Sequence, residues 1–176
     1  MTSNELLAGI LDPIGLGAWQ YYPEVGSTND LALAWAQEDA PDWSLVLSDA
    51  QTKGRGRGER SWMTRPGTGL AMSLILRPQL AEAARVTRFT ALGALGLVKA
   101  LSGLGLGSEI KWPNDILLGG KKVGGVLVEV DWQADSLNAV VVGMGVNVAP
   151  DSVPPVKDLR YPATSVAEML DETVDR

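Results

Sequence analysis

The 176-residue chain contains no histidine and no cysteine. Without histidine it cannot run Ser-His-Asp or Cys-His catalysis, nor build a zinc site on imidazoles. Without cysteine it has neither disulfides nor a thiolate nucleophile. Positive charge is also short: 15 Lys and Arg against 21 Asp and Glu leave a net charge of −6. That balance, with a pI near 4.6, argues against a general nucleic-acid binder. The opening Met1-Thr-Ser-Asn-Glu-Leu-Leu7 lacks the basic start and apolar run of a signal peptide. The apolar stretch 91–106 is interrupted by glycines and Lys99, so it does not read as a membrane span. The expectation is a cytoplasmic protein with no membrane and no nucleic-acid partner.

The scarce basic residues are concentrated. Lys53, Arg55, Arg57, Arg60 and Arg65 fall in or beside Gln51-Thr-Lys-Gly-Arg-Gly-Arg-Gly-Glu-Arg-Ser-Trp62. Glycine lets a backbone approach a ligand closely, and arginine offers a fork of donors suited to carboxylates and phosphates. A positive stretch inside an acidic chain points to a small anionic ligand.

The chain around it reads as one α+β domain over 1–176. A short helix is expected over 3–11 and a strand over 18–23. Ser27, Thr28 or Asn29 caps a helix carrying Leu31, Ala34 and Trp35. Strand 43–49 delivers the Gly/Arg stretch, and a buried strand over 70–76 follows it. The longest helical pattern spans 79–103, with Gly93 and Gly96 suggesting close packing on a sheet. Strand segments 109–112 and 116–118 lead to a Gly119-Gly120 hairpin turn, then to strands over 121–130 and 137–148. A loop with four prolines covers 150–162. A final helix capped by Thr164 or Ser165 is expected to run to the chain end. Several polar groups interrupt these apolar strands: Lys111, Asn114, Asp115, Lys121, Lys122 and Asn147. Each alone has an ordinary reading as a surface pair, strand end or turn residue.

Together they carry a resemblance. Gly-Ser-Thr-Asn (26–29), Gln-Thr-x-Gly-Arg-Gly-Arg (51–57) with Trp62, Lys-Trp-Pro-Asn-Asp (111–115), Lys-x-Gly-Gly-x-Leu-x-Glu (122–129) and Gly-x-Gly-x-Asn (143–147) occur in that order. The series resembles the catalytic domain of biotin protein ligases, also called biotin–[acetyl-CoA-carboxylase] ligases, across about residues 15–170. The resemblance implies a mixed, largely antiparallel sheet flanked by helices, similar to class II aminoacyl-tRNA synthetases. It also implies ATP-dependent formation of biotinyl-5′-AMP, helped by Mg²⁺, and transfer of biotin to a lysine of a biotin carboxyl carrier domain. A carboxylate attacking the α-phosphate is already a nucleophile, so the missing histidine is no obstacle.

Carried over position by position, Ser27 and Thr28 look like hydrogen-bond partners of biotin's ureido ring, with Gln51 facing the same pocket and Asn29 also biotin-binding. Gly54 and Arg55 would lie over its valeryl tail, and Gly125 and Leu127 would line the pocket. Lys122 and Arg57 are the implied catalytic groups at the carboxyl/phosphate junction. Arg60, Trp62, Asn114, Asp115 and Asn147 would serve the nucleotide, with Asp115 as the Mg²⁺ ligand. Lys111 is expected to order the neighbouring carboxylates. Glu59 stands where the family pattern has glycine. The winged helix and the small SH3-like domain of family members are not expected within these residues, as in a fragment or short form. Dimerisation through sheet edges is common in the family. The alternatives are a lipoate ligase or octanoyltransferase of the same superfamily, or a biotin-binding module without turnover.

Overall fold

Side-chain alternation along two long strands sorts the molecule into two faces, and the candidate site lies on one of them. The computed structural model describes residues 3–58, 60–62, 64–79, 85–134, 136–155 and 161–174. Its strands are β1 (Trp19–Tyr22), β2 (Ser44–Ser48), β3 (Gly69–Leu76), β4 (Ser108–Lys111), β5 (Asp115–Leu118), β6 (Lys121–Gln133) and β7 (Ser136–Asn147). They form one seven-stranded sheet in the order β1-β2-β3-β7-β6-β5-β4. β1 pairs parallel to β2, and every other neighbour pairs antiparallel. This is the mixed, largely antiparallel α+β sheet that the resemblance implied.

The helices are α1 (Ser3–Leu11), α2 (Thr28–Gln37), α3 (Thr87–Gly103) and α4 (Val166–Leu170). Because successive strand residues point to opposite faces, Val140, Val142 and Val146 of β7 join Ala94, Leu97 and Leu101 of α3 in one core. Ala139 and Val141 join Ala32 and Ala36 of α2 in the other. Each such fully buried branched side chain stabilises the fold by about 2 kcal/mol. Gly93 lets α3 come down onto the sheet, since a Cβ there would lie 2.9 Å from Val142 Cγ1 and 3.0 Å from Val126 Cγ1. Gly96 has no such role, because nothing lies within 4 Å of its would-be Cβ.

Two helix expectations need correction. The pattern over 79–103 suggested one helix, but α3 starts at Thr87. Val86 supplies no side-chain cap, and the chain enters through a tight turn in which Arg88 N and Phe89 N donate to Arg85 O and Val86 O. The final helix is capped by Ser165, whose side chain accepts from Glu168 N. It ends at Leu170 with Asp171 in a left-handed conformation (φ 55°), rather than running on. The hairpin turn is as expected, with Gly119 and Gly120 at φ 53° and 75°. Glu59, residues 80–84 and part of the proline-containing loop (156–160) lie outside the described residues. Among the described residues no helix is long and apolar enough to cross a membrane.

Both ends of α2 are pinned. At its C-terminus Arg77 donates from Nη2 to Ala36 O and from Nε to Ala40 O. Such contacts satisfy carbonyls that have no partner within the helix. The N-terminus is held by the residues of the site.

Candidate functional site

Strand register makes the floor. Ala71 of β3 lies opposite Gly145 of β7, which lies opposite Gly125 of β6, which lies opposite Asp115 of β5. Three small residues in a row across the sheet leave a trough with a carboxylate at its end. One row along, Ser73, Gly143 and Leu127 are aligned in the same way. The pocket over these rows encloses about 630 Å³, counting the space open at its mouth.

Asn29 of α2 straddles Gly143. Its Oδ1 accepts from Ser73 Oγ at 2.6 Å, and its Nδ2 donates to Glu129 Oε2 at 2.7 Å and Leu127 O at 3.3 Å. A Cβ on Gly143 would sit 2.2 Å from Asn29 Oδ1, so only glycine admits the amide. Ser27 occupies the N-cap position of α2, but its side chain makes no cap hydrogen bond. The capping comes from outside: Gln51 Oε1 accepts from Thr28 N at 2.8 Å and from Thr28 Oγ1 at 3.1 Å. Ser27, Thr28, Asn29 and Gln51 all line the pocket.

The Gly/Arg stretch folds back on itself as a small hairpin. Gly56 N donates to Arg60 O at 2.7 Å and Trp62 N donates to Gly54 O at 2.9 Å. Gln51 bridges both Val25 and Thr64 at the base. Trp62 is laid on the trough floor, for a Cβ on Gly145 would meet its indole at 2.4 Å. Arg55, Gly56, Arg57, Arg60, Ser61 and Trp62 form the roof. Gly54, expected over the valeryl tail, is not among the residues that line the pocket. Its glycine is required by the returning strand, since a Cβ would fall 2.3 Å from Trp62 O and 2.8 Å from Gln51 Nε2.

At the β5/β6 end, a register shift between Ile116 and Leu117 brings Lys122 and Asp115 together. Lys122 Nζ donates to Asp115 Oδ1 at 2.5 Å and stands 5.5 Å from the Trp62 ring centroid. Asn114 Nδ2 donates to Val126 O at 2.9 Å while also lining the pocket. Asn147, expected at the nucleotide, is buried and donates to Thr164 O at 3.1 Å, tying β7 to the segment before α4; it is not among the residues that line the pocket. Among the described residues no carboxylate forms an ion pair with Lys111, whose Nζ lies 3.5 Å above the Tyr161 ring.

The electrostatics favour an anion. Arg55, Arg57, Arg60 and Lys122 line the pocket against a single lining carboxylate, Asp115, among the described residues. Arg55 is neutralised by Asp30 and Glu129. Hydrogen bonding to Asp30 leads the effects that hold its guanidinium even more firmly protonated than usual. No such carboxylate pairs with Arg57 or Arg60 among the described residues, which leaves two guanidinium groups for a ligand. No group of three or more acidic ligands that could cage a metal occurs among the described residues.

Several participants had no role assigned from the sequence. Asp30 and Ser73, and the motif residues Glu129, Gly143 and Gly145, do their work through contacts across the sheet that strand register exposes. The Gly-x-Gly spacing in β7 was the available signal.

Comparisons with known proteins fit this arrangement. A family model described as the Biotin/lipoate A/B protein ligase family matches residues 21–147. The bifunctional ligase/repressor BirA of Bacillus spizizenii is 38% identical over 157 residues, covering 89% of this chain and 48% of that protein. A biotin–[acetyl-CoA-carboxylase] ligase of Paracoccus denitrificans is 41% identical over 124 residues, covering 63% of this chain and 50% of that protein. The chain thus spans about half the length of the curated relatives it matches. Among solved structures, a biotin protein ligase from Aquifex aeolicus in complex with biotin and ATP superposes with a TM-score of 0.76 at 30% identity. It covers 90% of this chain and 63% of that one. With a match that runs from within β1 to the end of β7, this chain belongs to the Biotin/lipoate A/B protein ligase family.

Proposed function

We propose that the chain activates biotin with ATP, forming biotinyl-5′-AMP and pyrophosphate, and passes the biotinyl group to a lysine of a biotin carboxyl carrier domain. The observation that carries this reading is the pocket's two-ended chemistry. Neutral hydrogen-bonding groups on Ser27, Thr28 and Gln51 lie at the α2 end, while Lys122 and the roof arginines supply positive charge elsewhere in the same pocket. A ureido ring with a carboxylate on an aliphatic tail matches both.

In the first step, a biotin carboxylate oxygen attacks the α-phosphorus, an O–P bond forms, and pyrophosphate leaves with the electrons of the broken bond. No base is consumed. Lys122 and Arg57 lower the barrier by holding the carboxylate against the phosphate and balancing the charge that develops there. Trp62, Arg60, Asn114 and Asp115 hold the nucleotide side. In the second step, the carrier's neutral amine attacks the acyl carbon, a C–N bond forms, the acyl C–O bond breaks with its electrons leaving on the AMP phosphate, and the amine nitrogen gives its proton to solvent.

Mg²⁺ fits as a companion of the nucleotide. It is ordinarily bound by one or two carboxylates with substrate phosphates and retained waters, and Asp115, which here pairs with Lys122, is the one lining carboxylate among the described residues. We place the reaction in the cytoplasm, where ATP is at hand. A homodimer through a free sheet edge is compatible with the fold, and an acidic chain of net charge −6 is a poor partner for nucleic acid.

The family also takes in lipoate ligases. Lipoate's dithiolane has no strong donor or acceptor to offer the polar groups of Ser27, Thr28 and Gln51 that line the pocket, whereas a ureido ring has both. Competition decides between them: biotin-dependent pyrophosphate release is measured with lipoate or octanoate in excess. Little inhibition supports biotin as the substrate; strong inhibition or direct activation of the fatty acids overturns it.

A further inference from the structure

The hydroxyl protons in the wall behind the α2 end of the pocket can be placed by elimination. Asn29 Nδ2 stands 2.7 Å from Glu129 Oε2 and 3.3 Å from Leu127 O, and a carboxylate and a carbonyl only accept. The amide is therefore turned with its Oδ1 toward Ser73 Oγ, 2.6 Å away. That oxygen carries no proton, so Ser73 donates its single hydroxyl proton to it. At the other end Gln51 Oε1 accepts from Thr28 N at 2.8 Å, which orients the second amide. Between the two amides lies Thr28 Oγ1, 2.8 Å from Ser73 Oγ and 3.1 Å from Gln51 Oε1. Ser73 has no second proton to give, so Thr28 supplies the one that the 2.8 Å contact needs. With its hydrogen spent inside the wall, Thr28 Oγ1 has only lone pairs to offer the pocket that it lines.

We propose that Ser73 is a positioning residue that sets substrate specificity: by taking the Thr28 proton it makes Thr28 Oγ1 a fixed acceptor, so the pocket selects a ligand with an N–H there. Ser73 is 0% exposed and absent from the pocket lining, so it acts only through Thr28. A ligand oxygen at this point would meet the lone pairs of Thr28. Turning the Thr28 proton outward instead would leave two oxygens 2.8 Å apart with no hydrogen between them. Either arrangement carries the cost of an unsatisfied buried polar group. A site of this kind rejects the wrong partner more strongly than an apolar pocket rejects an extra methylene. Resting on the biotin reading, the donor that the wall selects is one of the ureido N–H groups.

The first test is titration calorimetry with biotin and with the cyclic carbamate analogues in which one or the other ureido N–H is replaced by oxygen. The ring keeps its size while a donor becomes an acceptor. Wild type binds one of these carbamates about a hundred-fold or more weakly than biotin. In Ser73→Ala the Thr28 proton is released to meet the carbamate oxygen, and the ratio falls to about ten-fold. Ser73→Cys, a weaker donor and acceptor, gives an intermediate ratio. Thr28→Val removes the acceptor itself, so adding Ser73→Ala to it leaves the ratio where it is. A merely structural Ser73 would weaken both ligands alike; an unchanged ratio in Ser73→Ala overturns the proposal. Wild type that binds both carbamates as well as biotin overturns it too, as does a further fall of the ratio in the double variant.

The second test needs neither ligand nor variant. Thr28, Asn29 and Ser73 are buried, so in isotope-labelled wild-type protein the Thr28 and Ser73 hydroxyl protons exchange slowly enough with water to give NMR resonances. The Thr28 hydroxyl proton shows a nuclear Overhauser effect to the Ser73 β protons. A Thr28 hydroxyl proton in fast exchange, or one without that contact, overturns the proposal whatever the ligand is. If wild type binds no biotin while both protons are held, the biotin reading fails, and Thr28 still stands as a fixed acceptor.

Discussion

Replacing Gly143 with alanine is the most demanding test of the pocket wall. The new Cβ would stand 2.2 Å from Asn29 Oδ1, 2.8 Å from Cγ and 2.9 Å from Nδ2. The amide is 5% exposed and held by Ser73, Glu129 and the Leu127 carbonyl, so it cannot retreat without surrendering those bonds. Overpacking of this kind costs about 1–3 kcal/mol. Each buried polar group left without a partner adds about 1–3 kcal/mol. Allowing for partial relaxation, the loss comes to roughly 3 kcal/mol, which for a chain of this length lowers Tm by about 10 °C. Scanning calorimetry measures the shift and titration calorimetry the biotin affinity, which falls with it. A Tm drop under about 2 °C with biotin binding intact would refute the reasoning, because Asn29 would then be a movable side chain and no fixed wall.

Other substitutions separate the parts of the site. Gly145→Ala meets the Trp62 indole, but Trp62 belongs to a hairpin that can lift. Stability therefore falls by no more than about 1 kcal/mol, while ligand retention falls measurably in a stopped-flow chase. Lys122→Ala abolishes adenylate formation with an unchanged circular dichroism spectrum; an unaffected rate removes Lys122 from the site. Arg57→Gly lets the adenylate escape and label bystander lysines, detectable by avidin blotting, and unchanged retention counts against its restraining role. Gln51→Ala removes the outside cap on α2 and destabilises the chain by about 1 kcal/mol, while weakening biotin binding. A loss of stability without a change in affinity would confine Gln51 to structure.

Much of this was legible in the sequence, for physical reasons. Hairpin and strand signals are local: the Gly119-Gly120 turn and the alternation in β3, β6 and β7 needed no partner to be read. The lining residues named from motifs, such as Lys122, Asp115, Thr28 and Gln51, do come together in one pocket. What escaped was pairing at long range. Arg55 meets Asp30 across 25 residues and Glu129 across 74, and no local pattern specifies either contact. The trough of Ala71, Gly145 and Gly125 exists only once the strands are in register. Gly54 and Asn147 stand in motifs that point to ligands, and the structure adds a protein neighbour for each: Gly54 makes room for the hairpin's return, and Asn147 binds a backbone carbonyl. Motif spacing reports that a residue type is needed, and not which neighbour needs it.

The account stands or falls on adenylation by this chain. Incubating it with biotin, Mg²⁺ and ATP labelled at the α-phosphate, then resolving the products, measures that directly. The account predicts biotin-dependent biotinyl-AMP and an equal amount of pyrophosphate from wild type, and none from Lys122→Ala. Biotin binding without any adenylate would contradict it and leave a binding module in place of an enzyme.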